Sequence, residues 1–151
     1  MKRDPIIIAG GGLAGSEAAW QIAQAGFAVR LFEMRPVKAT PAHKTNALAE
    51  IVCSNSFKSD QEGSAPWLLK EELKILDSLL IRLAYRHRVP SGASLSVDRE
   101  QFAAAVTQAV SEHPNIAVLR EELRSIPQDA VTIIATGPLT SESLSCSIRE
   151  F

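Results

Sequence analysis

The sequence predicts an α/β fold on a parallel sheet, and two segments carry that prediction. Residues 6–33 read IIIAGGGLAGSEAAWQIAQAGFAVRLFE, and residues 131–137 read VTIIATG. The run Ile6 to Ile8 has the length and apolarity of a strand buried on both faces. Gly10, Gly12 and Gly15 follow as G-x-G-x-x-G and open a helical stretch that ends near Gly26. A second strand pattern, Ala28 to Phe32, stops at an acid, Glu33. The glycines differ in what they make possible. Gly10 permits the tight turn, Gly12 lets the backbone approach a pyrophosphate, and Gly15 lets helix and strand pack closely. Ala14, Ala18 and Ala19 supply small side chains where helix meets sheet. Free N–H groups at the helix start, with the positive end of its dipole, attract phosphates. Glu33, 18 residues after Gly15, is placed to accept ribose hydroxyls. The segment is read as a dinucleotide site.

The identity of the dinucleotide follows less directly. A carboxylate at Glu33 repels a 2′-phosphate, which disfavours NADP and leaves both FAD and NAD. The VTIIATG run resembles the strand that closes the first half of an FAD domain in two-dinucleotide flavoproteins, with Thr136 and Gly137 approaching the adenosine side of the cofactor. An ordinary core strand followed by a turn at Gly137-Pro138 fits the same residues. Taken with the glycine turn, the run favours FAD, and the fold class becomes a Rossmann-like FAD-binding domain of the glutathione-reductase kind.

The intervening residues supply the other elements. Residues 34–63 are rich in Pro, Thr, Ser, Asn and Lys and read as mostly loop, of a length that is often functional. A helix follows, capped at Ser64 with Pro66 in its first turn. Leu69, Leu73, Leu76, Leu80 and Leu83 recur at 4-3-4-3 spacing and predict one apolar face, suited to core or dimer contact. Pro90 and Gly92 end it. Ala93 to Val97 reads as a short strand, and Asp98 caps a helix from Arg99 to about Glu112 with Phe102, Val106, Ala109 and Val110 inward. Ile116 to Leu119 and Leu123 to Ile126 read as short strands before VTIIATG.

Composition limits the function classes. A chain of 151 residues, 46% hydrophobic and 22% charged, suits one globular domain. No apolar run reaches the roughly 18 residues of a membrane span. MKRDP enters the first strand directly, so no signal peptide is expected. Cys53 and Cys146 make no disulfide framework, and a reducing cytoplasm is the expected setting. No metal site is expected. The net charge of −1 means that any RNA-binding surface would have to be a local patch.

Several blocks outside the fingerprint are more specific. Leu31-Phe32-Glu33-Met34-Arg35-Pro36 is followed by Thr40-Pro41-Ala42-His43 and by Glu50-Ile51-Val52-Cys53-Ser54-Asn55-Ser56. Lys70-Glu71-Glu72, Val97-Asp98-Arg99 and Ala135-Thr136-Gly137-Pro138-Leu139-Thr140-Ser141 come later. With Gly10–Gly15 and Ser16-Glu17-Ala18, these resemble the N-terminal part of the TrmFO (Gid) family, bacterial folate- and FAD-dependent tRNA (uracil-5-)-methyltransferases, over about residues 6 to 144. The EMRP and CSNS blocks separate that family from generic flavoproteins and from its relative GidA.

The resemblance implies an activity: methylation of the T-loop uridine at tRNA position 54 to 5-methyluridine. Methylenetetrahydrofolate is the carbon donor, NAD(P)H the reductant, and FAD carries the reducing step. It assigns Gly10, Gly11, Gly12, Leu13, Ala14 and Gly15 to the FAD pyrophosphate loop, Glu33 to the ribose, and Cys53 to a position near the flavin. A thiolate there suits a base or an adduct-forming nucleophile; a small buried apolar residue is the alternative. His43 reads as a surface residue, and Lys38, Lys44 and Lys58 as background charge. Cys146 lies in a tail, residues 145–151, without family pattern. Family members are several-fold longer, with an insertion domain, a uracil-attacking cysteine and a later FAD segment. The isolated chain is therefore expected to be inactive. A non-catalytic FAD-binding remnant and a general FAD or NAD oxidoreductase domain are the competing readings, the latter leaving the EMRP and CSNS blocks unexplained.

Overall fold

The computed structural model describes residues 4–151. Strand β1 (Ile6–Ala9), helix α1 (Leu13–Gln24) and strand β2 (Val29–Phe32) form the βαβ unit expected from the glycine fingerprint. β1 and β2 pair in parallel, with Ile8 opposite Leu31 and Ala9 opposite Phe32. The chain then runs through β3 (Ser56–Ser59), α2 (Ala65–Ile75), α3 (Leu79–Arg86), β4 (Arg88–Val89), β5 (Ser94–Val97), α4 (Arg99–Glu112), β6 (Ile116–Leu119) and β7 (Thr132–Ile134). A short 3-10 turn at Gly137–Leu139 leads into α5 (Glu142–Glu150). The main sheet has the order β6-β2-β1-β7, and all its pairings are parallel. Its strand ends at Ala9, Phe32, Leu119 and Ile134 therefore open on one edge, where ligands of open α/β sheets bind.

Burial follows the apolar runs. Ile8 and Leu31 are fully buried, and Ala19 and Ala23 bring α1 down on the sheet. Ala14, expected at that helix–sheet contact, is exposed instead. Asp98 caps α4 as expected, its Oδ1 accepting from the amides of Glu100 (3.1 Å) and Gln101 (3.0 Å). Phe102, Val106 and Val110 are fully buried along that helix, with Ala109 packed at the margin of the core.

One expectation about elements is refined and two give way. The first concerns the loop of residues 34–63, which contains β3, the edge of an antiparallel sheet ordered β3-β5-β4. Ser-Phe-Lys-Ser carries only one apolar residue, so its strand character comes from pairing with β5 and from the edge-to-face contact of Phe57 with Phe102, 5.4 Å between centroids. Lys70 fastens α2 to it, donating to the carbonyls of Phe57 (3.2 Å) and Ser59 (2.6 Å).

The second is the leucine stripe, which is split between two helices. Asp77 takes a positive φ of 51°, and Ser78 then starts α3, its hydroxyl accepting from the Ile81 amide at 3.2 Å. Glu17 of α1 completes the new helix start by accepting from the amides of Leu79 (3.2 Å) and Leu80 (2.9 Å) and from Ser78 Oγ (3.0 Å). Leu80 and Leu83 enter the core, while Leu69 and Leu76 stay 56% and 65% exposed. The third is the predicted strand at Leu123–Ile126, which is irregular; the Ile126 amide donates to Ser147 Oγ at 3.0 Å instead. Among the described residues no helix is long and apolar enough to cross a membrane.

Candidate nucleotide-binding site

At the open edge of the parallel sheet, the loop between β1 and α1 forms one wall of a cleft of about 300 Å³. Gly10–Ala14 line it with Glu33 and Arg35 after β2, and with Thr136 to Leu139 after β7. The glycines are separable by what a Cβ would meet. At Gly15 it would run into the Gly10 carbonyl oxygen, and at Gly10, where φ is 102°, it would lie 2.7 Å from the Ala135 carbonyl oxygen. Both positions close the loop. At Gly12 a Cβ would meet nothing within 4 Å. Gly12 is also the N-cap residue of α1, and no side chain caps that helix start. An uncapped helix start beside an open approach fits a phosphate, which would take the first-turn N–H groups. Gly11 faces inward: its amide donates to Glu33 Oε2 at 3.1 Å, and its carbonyl accepts from Ser16 Oγ and the Ala49 amide.

Glu33 and Arg35 form a buried pair at the other wall, only 5% and 3% exposed. Arg35 donates from its amide (3.0 Å) and Nε (2.9 Å) to Glu33 Oε1, and from Nη2 to Oε2 (3.1 Å). Burial alone would raise the Glu33 carboxyl. The Arg35 hydrogen bonds and charge, with the Gly11 amide, overcome it and hold the group below the usual carboxylate value. Arg35 Nη1 reaches on to Glu50 Oε2 (2.9 Å) and the Thr45 carbonyl (3.0 Å). Arg120, one residue beyond β6, donates from Nη1 to the carbonyls of Asn46 (2.8 Å) and Arg35 (3.4 Å). Glu33 is thus already engaged by four protein donors in this structure.

His43 also lines the cleft, half-buried rather than on the open surface, with Nδ1 2.6 Å from Thr40 Oγ1. Burial lowers its pKa, with the nearby Arg35 charge acting in the same direction, so the ring is neutral at pH 7. Cys53 is exposed on this chain. It does not line the cleft itself; its neighbour Val52 does, and Val52 also lines a second cleft of about 960 Å³ bordered by Glu50, Asn55 and Arg99.

Sequence reasoning brought together Gly10–Gly15, Glu33, Thr136 and Gly137, all on the first cleft or its supporting loop. It gave no role to Arg35, Glu50 or Arg120. Arg35 had a signal, since residues two apart on an extended segment share a face with the acid. Arg120 has one only once the register of β2 with β6, Phe32 opposite Leu119, is known. Glu50, in irregular chain 15 residues from Arg35, had none.

Comparisons with known proteins bear on the family and the fold. The family model described as glucose inhibited division protein A matches residues 5–150. A TrmFO protein of Solibacter usitatus, named methylenetetrahydrofolate--tRNA-(uracil-5-)-methyltransferase, is 59% identical over 93% of this chain and 32% of its own length. The protein of that name from Streptococcus agalactiae is 54% identical over 99% of this chain and 34% of its own, and the one from Streptococcus thermophilus 56% identical over 99% and 33%. The chain thus spans about a third of the length of these relatives. Among solved structures, Aquifex aeolicus GidA superposes with a TM-score of 0.62 at 16% identity, over 83% of this chain and 21% of that one, a likeness of fold. Nearly every residue of the chain falls within the family match, and the high-identity relatives bear the name that the EMRP and CSNS blocks suggested: the chain belongs to the glucose inhibited division protein A family and resembles its TrmFO members.

Proposed function

We propose that this chain is the FAD-binding part of a folate-dependent tRNA (uracil-5-)-methyltransferase, and that the cleft takes the ADP half of FAD. The open approach at Gly12 over an uncapped helix start is the observation that carries the reading. In it, Gly12, Leu13 and Ala14 bind the pyrophosphate through backbone N–H groups. The Glu33–Arg35 pair meets the ribose, and Thr136 and Gly137 close the adenosine side. Gly10 and Gly15 hold the loop in shape, and Gly11 ties it to Glu33. Bound FAD would supply the reducing chemistry, with methylenetetrahydrofolate as carbon donor and NAD(P)H as reductant. Cys53, exposed beside the wall shared by the two clefts, is assigned to the reacting end of the longer protein. Transfer of a one-carbon unit to uracil requires nucleophile, folate and reduced cofactor to be held together, and such positioning supplies several kcal/mol of the barrier.

The assay is 5-methyluridine formation on an unmodified tRNA transcript with methylenetetrahydrofolate, NADPH and FAD. Residues 1–151 alone form none, and a full-length protein carrying this sequence is active. In that protein, Cys53→Ala strongly reduces the rate while FAD stays bound, as expected for a group acting at the reacting atoms. Turnover by the 151-residue chain, or full activity of Cys53→Ala, contradicts the assignment.

A further inference from the structure

Arg35 borders the proposed nucleotide cleft, yet four of its five side-chain N–H groups are committed, two to Glu33 and one each to Thr45 and Glu50. Glu50 is itself held in place. Its Oε1 accepts from the Lys44 amide (2.8 Å), and its Oε2 from the Thr45 amide (3.1 Å) and hydroxyl (2.8 Å). A guanidinium at the ribose end of such a site is the group that a 2′-phosphate would seek, because its planar fork matches two phosphate oxygens. Glu33 alone does not prevent that pairing, since Arg35 neutralises Glu33 and carries the donors a phosphate needs. A second carboxylate changes the balance, leaving one cation between two anions with its Nη1 drawn away. Arg120, another cation near Glu33, gives its Nη1 to backbone carbonyls.

We propose that Glu50 is a specificity-determining residue of this site: by anchoring Arg35 it denies the guanidinium to a 2′-phosphate, so that the cleft selects nucleotides with a free ribose 2′-hydroxyl. The inference rests on the reading of the cleft as a nucleotide site and adds to it a residue 17 positions from Glu33 in sequence. Both Glu50→Gln and Glu50→Thr remove the charge, with different shapes, so a folding failure of one leaves the other.

The test measures the affinities of ADP and 2′-phospho-ADP for wild type and both variants at one fixed ionic strength. Wild type prefers ADP. In the variants that preference falls by roughly tenfold or more, the scale of one charge acting over a few ångströms in a half-buried site. An unchanged preference, including an equal loss of both ligands, overturns the role of Glu50 and makes it a structural prop. A wild-type chain that binds neither ligand overturns the nucleotide reading itself, whatever the variants do.

Discussion

Gly12→Val strongly weakens binding of FAD and of ADP to this chain and leaves its stability nearly unchanged. The two halves of that result have one cause. A side chain at Gly12 meets no protein atom within 4 Å, so the folded chain accommodates it. The space it fills is the approach to the start of α1, where no side chain competes for the first-turn N–H groups. Valine's branched Cβ would hold a pyrophosphate away from those donors, and charge-assisted hydrogen bonds are lost steeply with distance. A loss of about a hundredfold or more in affinity is expected, equivalent to roughly 3 kcal/mol. Calorimetric titration with ADP and urea denaturation of both proteins check the two halves. Equal affinities would remove the pyrophosphate from this loop.

Arg35→Met produces the largest stability effect, and that effect depends on pH. In the wild type the Glu33 carboxyl lies below its usual value despite burial, because Arg35 donates to both of its oxygens. A group with a lowered folded pKa contributes stability that is present above its unfolded pKa and is lost as pH falls through the folded value. Without the guanidinium, burial dominates and the Glu33 pKa rises above its unfolded value. The charged form is then the costly one, and the variant is destabilised most at neutral pH, by about 3–5 kcal/mol for a buried charge stripped of its partner. Acidification through the raised pKa protonates the carboxyl and narrows the gap to wild type. Urea midpoints at about pH 7 and about pH 4.5, on either side of the expected titration, measure the gap. A loss of equal size at both would show that Arg35 acts by packing and not by neutralising Glu33.

The parts of this molecule that the sequence discloses are those built from neighbours in the chain. The isoleucine run, the glycine spacing, the second strand and its terminal acid all lie within residues 6–33, and the structure assembles them as one βαβ unit. Asp98 capping α4 is equally local. What escaped depends on partners far along the chain. β3 is a strand because β5 pairs with it, and the leucine stripe breaks because Glu17, some 60 residues earlier, stabilises a new helix start at Ser78. The acid expected to meet ribose is where the fingerprint puts it, but its engagement by Arg35, and that of Arg35 by Glu50, could be seen only once an irregular loop was folded back on the sheet edge. His43 looked like a surface residue for the same reason: a polar loop gives no sign that it forms the wall of a cleft.

The most direct measurement of the central claim is a titration of the isotope-labelled chain with ADP, followed through its backbone amide resonances. Saturable shifts are predicted, largest at Gly12, Leu13 and Ala14, smaller at Glu33, Arg35 and Thr136, and absent in Gly12→Val. Shifts confined to the second cleft, around Asn55 and Arg99, or no saturable shift at all, would contradict the placement of a nucleotide on the β1–α1 loop.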